Sequence, residues 1–219
     1  MFILIPLCLG LMALQIQREQ RDRFFAAMLL KGLASLCFVL LGVLASSGAK
    51  PAGQIVAGLV LGCVADVLLS ARYAFPKKGK IIFLVGILVF LAGHLVYLAA
   101  IIRLCEKPLL CAVVGVLLTA VLMKWLFARI TAEKVFKIFG IFYVGAITVM
   151  TCTAIGNLIS EPSAFTGLFA AGAVLFLISD IVLILNTFGP ANRFRLRILN
   201  LSLYYVGQLM IAASLLFLA

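Results

Sequence analysis

The chain has 219 residues, of which 66% are hydrophobic, and its formal net charge is +11 at pH 7. Ordinary soluble domains are roughly 45–50% apolar, so this chain has too little polar surface to cover a water-soluble globule. The positive charge is spread over short segments without forming a basic domain, which argues against nucleic-acid binding and favours topology signals and contact with anionic membrane lipids.

Long apolar runs without a two-residue alternation predict membrane-spanning helices rather than barrel strands. Charged and turn residues separate eight such runs, most of them long enough to cross about 30 Å of hydrocarbon. We therefore predict an all-α membrane protein with eight transmembrane helices in a single domain, residues 1–219. The eight runs are residues 2–16, 24–48, 52–72, 81–102, 108–128, 135–159, 164–188 and 198–218.

The basic residues are distributed unevenly between the connections. Fourteen of the eighteen lie in or beside the odd-numbered connections, and only Lys50, Arg103 and Lys107 lie in the even-numbered ones. The positive-inside rule then predicts that the odd-numbered connections face the cytoplasm and that both termini face away from it. The short connections favour the inner membrane of a bacterium.

An internal repeat is suggested by two runs that align without gaps. GLVLGCVADVLL, residues 58–69, aligns with GAVLFLISDIVL, residues 172–183, at an offset of 114 residues, and this offset places Asp66 on Asp180. It also places GHLVYLAA, which begins at residue 93, on GQLMIAAS, which begins at residue 207. We predict two parallel four-helix repeats, residues 1–105 and 106–219, related by an axis along the membrane normal.

Asp66 and Asp180 are the residues most indicative of function. A charged side chain near the centre of a membrane helix costs roughly 3 kcal/mol on insertion scales, so intramembrane acids are rarely retained without a role. Counted from the same membrane face, other polar residues fall at similar depths. This group consists of Lys31, His94, Tyr97, Tyr204, Tyr205 and Gln208.

These polar residues also have structural interpretations. Lys31 can extend towards the membrane surface or pair with an aspartate, and His94 can simply join two helices by a hydrogen bond. The tyrosines, Gln208 and Asn157 are residue types that commonly link membrane helices. Glycines at 58, 93, 172 and 207 favour close helix packing over substrate contact.

Several catalytic classes lack their usual motifs here. The single histidine and the absence of HExxH argue against a metal hydrolase, and no GxSxG, GxGD or nucleotide-binding glycine loop occurs. We expect no metal and no cofactor. Two carboxylates in a low-dielectric site suit acid–base chemistry, because one can retain a proton while its ionised partner activates water.

The segments GLVLGCVADVLL, FLAGHLVY, GAVLFLISD and YYVGQ, together with Tyr143 and Met150, resemble the motifs of the YhhN-like lysoplasmalogenase family. The resemblance covers most of the chain, although Lys31 is followed by Gly32 where the family usually has Lys-Pro. It implies an eight-span enzyme that hydrolyses the vinyl ether of lysoplasmalogens to a fatty aldehyde and a glycerophospho-base.

On this resemblance, Asp66 and Asp180 would be the acid–base pair, and Lys31 would bind the head-group phosphate or set the charge of an aspartate. The expected partners are the lysophospholipid substrate and membrane lipids, with no protein partner inferred. A proton-coupled transporter or lipid permease is the alternative, because parallel repeats and intramembrane acids suit it equally.

Overall fold

The computed structural model describes residues 1–48, 50–190 and 193–218, and every regular element in this part of the chain is helical. Ala49, Ala191, Asn192 and Ala219, which belong to the predicted domain, lie outside the described residues. The eight long helices are α1 (Leu4–Gln20), α2 (Phe24–Ala45), α3 (Lys50–Ala74), α4 (Gly79–Ile101), α5 (Pro108–Phe127), α6 (Lys134–Ser160), α7 (Ala164–Phe188) and α8 (Phe194–Ser214).

Seven of these helices, α2 to α8, are long and apolar enough to cross a membrane. The helix α1 has 17 residues and ends with charged side chains at Arg18 and Glu19, so it does not meet the same criterion. The chain is therefore an all-helical, multi-pass membrane protein with seven candidate spans among its eight long helices in the described part.

Local sequence signals account for several helix ends. Pro108 occupies the first turn of α5, where its missing N–H leaves no hydrogen bond unmade. Ser163 precedes α7 and forms a capping box with Thr166, in which each side chain accepts the other residue's backbone N–H. These signals help to fix where the helices start, and the eight predicted apolar runs differ from the eight observed helices by only a few residues at each end.

The helices pack in an order that is the same in both halves of the chain. Each helix of the first half packs against the next, from α1 to α4, and the same holds from α5 to α8. The halves meet where α2 packs against α8 and where α6 packs against α4. The second helix of each half thus contacts the fourth helix of the other half, and the polar residues of α2, α3, α7 and α8 are brought into one region.

Glycines permit the closest of these contacts. A Cβ atom on Gly172 would lie 2.7 Å from the carbonyl oxygen of Gly207, and one on Gly207 would lie 2.8 Å from the carbonyl oxygen of Gly172. The equivalent pair in α3 and α4 is looser, since a Cβ on Gly93 would lie 3.5 Å from the carbonyl oxygen of Gly58. Backbone oxygens cannot rotate away, so α7 and α8 approach this closely only because both residues lack a side chain.

Replacement of Gly172 by alanine should therefore destabilise the protein. The added methyl group forces α7 and α8 apart, and such overpacking costs about 1–3 kcal/mol. Gly53→Ala in α3 is the matched control, because beyond its chain neighbours and its own helix backbone no heavy atom of the described residues lies within 4 Å of the Cβ that it would add. The measurement is the thermal unfolding midpoint in detergent, and equal midpoints for the two variants would contradict the packing argument.

Candidate functional site

Asp66 accepts three contacts from three different side chains. Its Oδ1 lies 3.0 Å from the Lys31 ammonium nitrogen, and both side chains are almost fully buried. Its Oδ2 accepts hydrogen bonds from Ser35 Oγ at 2.5 Å and from Tyr204 Oη at 2.7 Å. A carboxylate that receives a cation and two hydroxyl donors is stabilised in its ionised form.

The positions of these donors follow from helix geometry. Lys31 and Ser35 are four residues apart in α2, so they lie on the same face, which is turned towards α3. Tyr205 on α8 donates a hydrogen bond of 3.3 Å to the backbone oxygen of Lys31. The ion pair is therefore held by α2, α3 and α8 together.

Asp180 has a different environment. Its Oδ2 accepts a hydrogen bond of 2.5 Å from Tyr143 Oη, and no Lys or Arg nitrogen of the described chain lies within 4.0 Å of its oxygens. The preceding residue, Ser179, exchanges hydrogen bonds with Asn200: its Oγ donates to the Asn200 carbonyl at 3.0 Å, and the Asn200 amide donates to the Ser179 carbonyl at 3.0 Å. This exchange fixes α7 against α8 beside the acid.

The two carboxylates line the same cavity, which has a volume of about 20 Å³. That space can hold about one ordered water molecule, for which polar partners are available. The lining combines the two acids with three basic side chains and with aromatic and aliphatic groups. It consists of Lys31, Asp66, Leu69, Arg72, Phe83, Phe90, Asp180, Leu183, Arg197, Asn200, Leu201 and Tyr204.

A second, apolar cavity of about 50 Å³ adjoins the first and shares part of its wall. Leu69, Phe83, Phe90 and Leu183 line both cavities, and Tyr143 lines the second one. The tyrosine that bonds Asp180 therefore also borders the apolar space. Polar and apolar compartments are thus placed side by side, an arrangement suited to an amphipathic molecule.

A chain of hydrogen bonds extends from Asp66 to residues outside the cavity. Tyr97 Oη donates to Gln208 Oε1 at 3.0 Å, Gln208 Nε2 donates to Tyr204 Oη at 3.3 Å, and Tyr204 donates to Asp66. Tyr97 and Gln208 are therefore connected to the acid through Tyr204 and do not line the cavity themselves.

His94 lies close to this region but does not contact either acid in the described part. Its Nδ1 is 2.7 Å from the carbonyl oxygen of Phe90, while its buried Nε2 has no hydrogen-bond partner there. The imidazole packs edge to face on Phe176, with ring centroids 4.7 Å apart, and Phe176 packs in the same way on Tyr204. His94 thus packs against Phe176, which in turn packs against Tyr204, a residue that lines the cavity.

Asn157 lies apart from the other predicted site residues. Its side-chain amide donates a hydrogen bond of 2.9 Å to the carbonyl oxygen of Ile101, the last residue of α4, and it does not line the cavity. The structure therefore places it as a link between α4 and α6 at the opposite end of these helices from the basic residues Lys80 and Lys134.

Several residues of the site were not among the predicted ones. Ser35 has a detectable sequence signal, since it lies one helical turn after Lys31 in an apolar run. Arg72 and Arg197 line the cavity, although their position in the sequence indicated only membrane topology. Arg197 is held by two hydrogen bonds to Glu19, of 3.0 and 2.8 Å, which fasten α8 to α1.

The arrangement defines a helical membrane protein with a buried, chemically asymmetric pair of acids. Within the described residues, no group of three or more His, Cys, Asp or Glu side chains could hold a metal ion. Searches of curated proteins and of solved structures gave no match. The model of the YhhN family matches residues 26–215, nearly the whole bundle, and the chain belongs to that family.

The Lys31–Asp66 pair can be tested by a double-mutant cycle. Lys31→Met should lower the free energy of unfolding by about 3–5 kcal/mol, because it leaves a carboxylate buried without its cation. The double variant Lys31→Met/Asp66→Asn should recover part of this loss, since neither charge remains. Unfolding in detergent gives the coupling energy, and strictly additive effects of the two substitutions would show that the pair does not form.

Proposed function

We propose that the protein hydrolyses the vinyl ether bond of lysoplasmalogens, giving a fatty aldehyde and a glycerophospho-base. The observation that carries this proposal is the unequal pair of acids in one cavity. In the described part of the chain, Asp66 contacts a cation and two hydroxyl donors, whereas Asp180 contacts a single tyrosine hydroxyl. Membership of the YhhN family, which the sequence resemblance associates with lysoplasmalogenases, also supports it.

The surroundings support different roles for the two acids. We assign the proton to Asp180, which has a tyrosine hydroxyl and no Lys or Arg nitrogen within 4.0 Å in the described chain, and the ionised form to Asp66, which pairs with the Lys31 ammonium. Among the described residues, Oδ1 of Asp66 is contacted by Lys31 alone, so it can accept a further hydrogen bond from a water molecule. Asp180 is thus the general acid, and Asp66 is the base that orients water.

The reaction then proceeds by protonation of the vinyl ether, addition of water and collapse of a hemiacetal. Asp180 donates its proton to the vinyl carbon remote from oxygen, and the oxygen-bearing carbon becomes an oxocarbenium ion. Water held by Asp66 adds to that carbon and gives its proton to Asp66. The resulting hemiacetal collapses when Asp66 returns this proton to the ether oxygen and Asp180 takes the hydroxyl proton, which releases alcohol and aldehyde and restores both acids.

The second cavity supplies a place for the apolar alkenyl chain next to Asp180. Both cavities are small compared with the roughly 300–1,000 Å³ of typical ligand pockets. Entry of a lysophospholipid therefore requires the surrounding helices to separate. The wall shared by the two cavities is built from α3, α4 and α7, which are the helices that would move.

The number of membrane spans, their repeat and their orientation are also part of this proposal. We propose that α1, which packs on α2 and α8, completes an eight-span bundle of two parallel four-helix repeats. The matched helix order of the two halves, the α2–α8 and α6–α4 contacts and the paired glycines support this duplication. The distribution of basic residues supports a site towards the cytoplasmic side of a bacterial inner membrane.

Asp66→Asn and Asp180→Asn should each reduce turnover of a 1-alkenyl lysophospholipid at least about hundredfold, because acid–base groups typically contribute 10²–10⁴. Asp22→Asn is the control, since Asp22 is exposed in the turn between α1 and α2. Aldehyde release by purified protein in detergent is the measurement, with unfolding midpoints to verify folding. Near-normal turnover in either site variant would remove that aspartate from the chemistry.

The same assay separates hydrolysis from transport, because turnover in detergent needs no second compartment. It also allows an isotopic test of the route. In D₂O, a rapidly trapped aldehyde should carry one solvent deuterium on the carbon next to the carbonyl, and in ¹⁸O-labelled water the alcohol should keep its original oxygen. Solvent oxygen in the alcohol would mean attack on the glycerol side and would exclude this mechanism.

A further inference from the structure

Three basic side chains line the cavity, and two of them already have an anionic partner. Lys31 pairs with Asp66, and Arg197 pairs with Glu19 through two hydrogen bonds. No carboxylate in the described chain lies within 4.0 Å of the Arg72 guanidinium. Arg72 is therefore the cavity-lining cation that has no carboxylate partner within the described structure.

The guanidinium of Arg72 is held in place by aromatic rings. Its central carbon lies 4.0 Å from the centroid of the Phe83 ring and 4.6 Å from that of Tyr73. One Nη donates to Tyr73 Oη at 2.5 Å, while the buried Nε has no hydrogen-bond partner among the described residues. Stacking orients the guanidinium and leaves N–H groups at its edge, where an oxyanion with two oxygens would bind.

Arg72 lines the same cavity as the two acids. It follows Asp66 by six residues in α3, which corresponds to a rise of about 9 Å along the helix axis. Phe83, beneath its guanidinium, forms part of the wall of both cavities. A ligand with its anionic group at Arg72 can thus extend past the acids and place an apolar chain in the second cavity.

We propose that Arg72 binds the phosphodiester of the lysophospholipid head group, an inference that rests on the proposed function. Only a few bonds separate this phosphate from the vinyl ether oxygen, and Arg72 lines the same small cavity as both acids. With Asp180 protonated and the two ion pairs neutral, Arg72 supplies one uncompensated positive charge, and a phosphodiester carries one negative charge. Lys31, engaged with Asp66, then sets the charge of that acid instead of binding phosphate.

The first test compares a 1-alkenyl lysophospholipid with the corresponding 1-alkenylglycerol, which has the same vinyl ether but no phosphate. Arg72→Met should lower the ratio of kcat/KM for the phospholipid over that for the neutral compound by roughly tenfold or more, mainly through KM, because a charge-assisted contact made in both ground and transition states is lost. An unchanged ratio would overturn the proposal.

Arg129→Met is the matched control for this comparison. Arg129 also stacks on an aromatic ring, with its guanidinium carbon 4.3 Å from the centroid of Trp125, but it is exposed and does not line the cavity. Its replacement should leave the substrate ratio at the wild-type value. A fall of the same size in both variants would show that the effect is one of general surface charge, and this would also overturn the proposal.

A binding test separates this inference from the proposed reaction. A saturated 1-alkyl lysophospholipid lacks the vinyl ether, so it can bind without being hydrolysed. It should raise the unfolding midpoint of the wild type more than 1-alkylglycerol does, and this difference should vanish in Arg72→Met. If this difference in midpoint vanishes in Arg72→Met but the wild type does not hydrolyse the vinyl ether, the proposed reaction is wrong while the binding site is supported.

Inorganic phosphate is the third ligand in the binding test, because it distinguishes a lipid head group from a free anion. Stabilisation by inorganic phosphate that depends on Arg72, with none by the lysophospholipid, would overturn the lipid assignment. If Arg72→Met does not give a folded protein, Arg72→Lys replaces it, since lysine keeps the charge but loses the planar fork. We expect a fall in the substrate ratio of at least about threefold, and no fall would again contradict the proposal.

Discussion

The buried ion pair between Lys31 and Asp66 is the interaction on which the rest of the site depends. Placing either charge alone in the bundle would cost several kcal/mol, and hydrogen bonds from Ser35 and Tyr204 to Oδ2 of Asp66 help to stabilise the pair. The contact from Tyr205 to the backbone oxygen of Lys31 holds α2 against α8 beside it. The pair therefore dictates how α2, α3 and α8 must meet.

The two halves of the bundle share a packing pattern but differ in chemistry. Asp66 and Asp180 align in sequence at an offset of 114 residues, yet the residue that aligns with Tyr204 at this offset is Phe90, which has no hydroxyl group to donate. Similarly, His94 corresponds to Gln208, and only Gln208 joins the hydrogen-bond chain that leads to Asp66. These differences give one acid several donors and leave the other with one, which is the asymmetry that acid–base chemistry requires.

The distribution of positive charge has two separate functions in this view. Most basic residues lie in or beside connections, where positive charge is a signal for membrane topology. Arg72 and Arg197 belong to the same set by their sequence position, but their side chains turn inwards and line the cavity. Arg197 is neutralised by Glu19 and stabilises the contact between α1 and α8, whereas Arg72 keeps its charge available for an anionic ligand.

The sequence by itself determined the helical membrane class, the approximate limits of all eight helices and the family, and it singled out two aspartates whose catalytic role stays a prediction. The hydrocarbon of the bilayer imposes the helical class and the helix limits locally, because each span must be apolar and helical. It also makes a charged side chain within a span costly, which is why the two aspartates stand out. Only the tertiary structure decided that Lys31 forms an ion pair with Asp66, that Ser35 and Tyr204 donate hydrogen bonds to the same carboxylate, and that Asn157 lies outside the cavity. Which side chains meet depends on the rotation and mutual approach of helices distant in the chain, and apolar periodicity is too weak in helices surrounded by lipid to specify it.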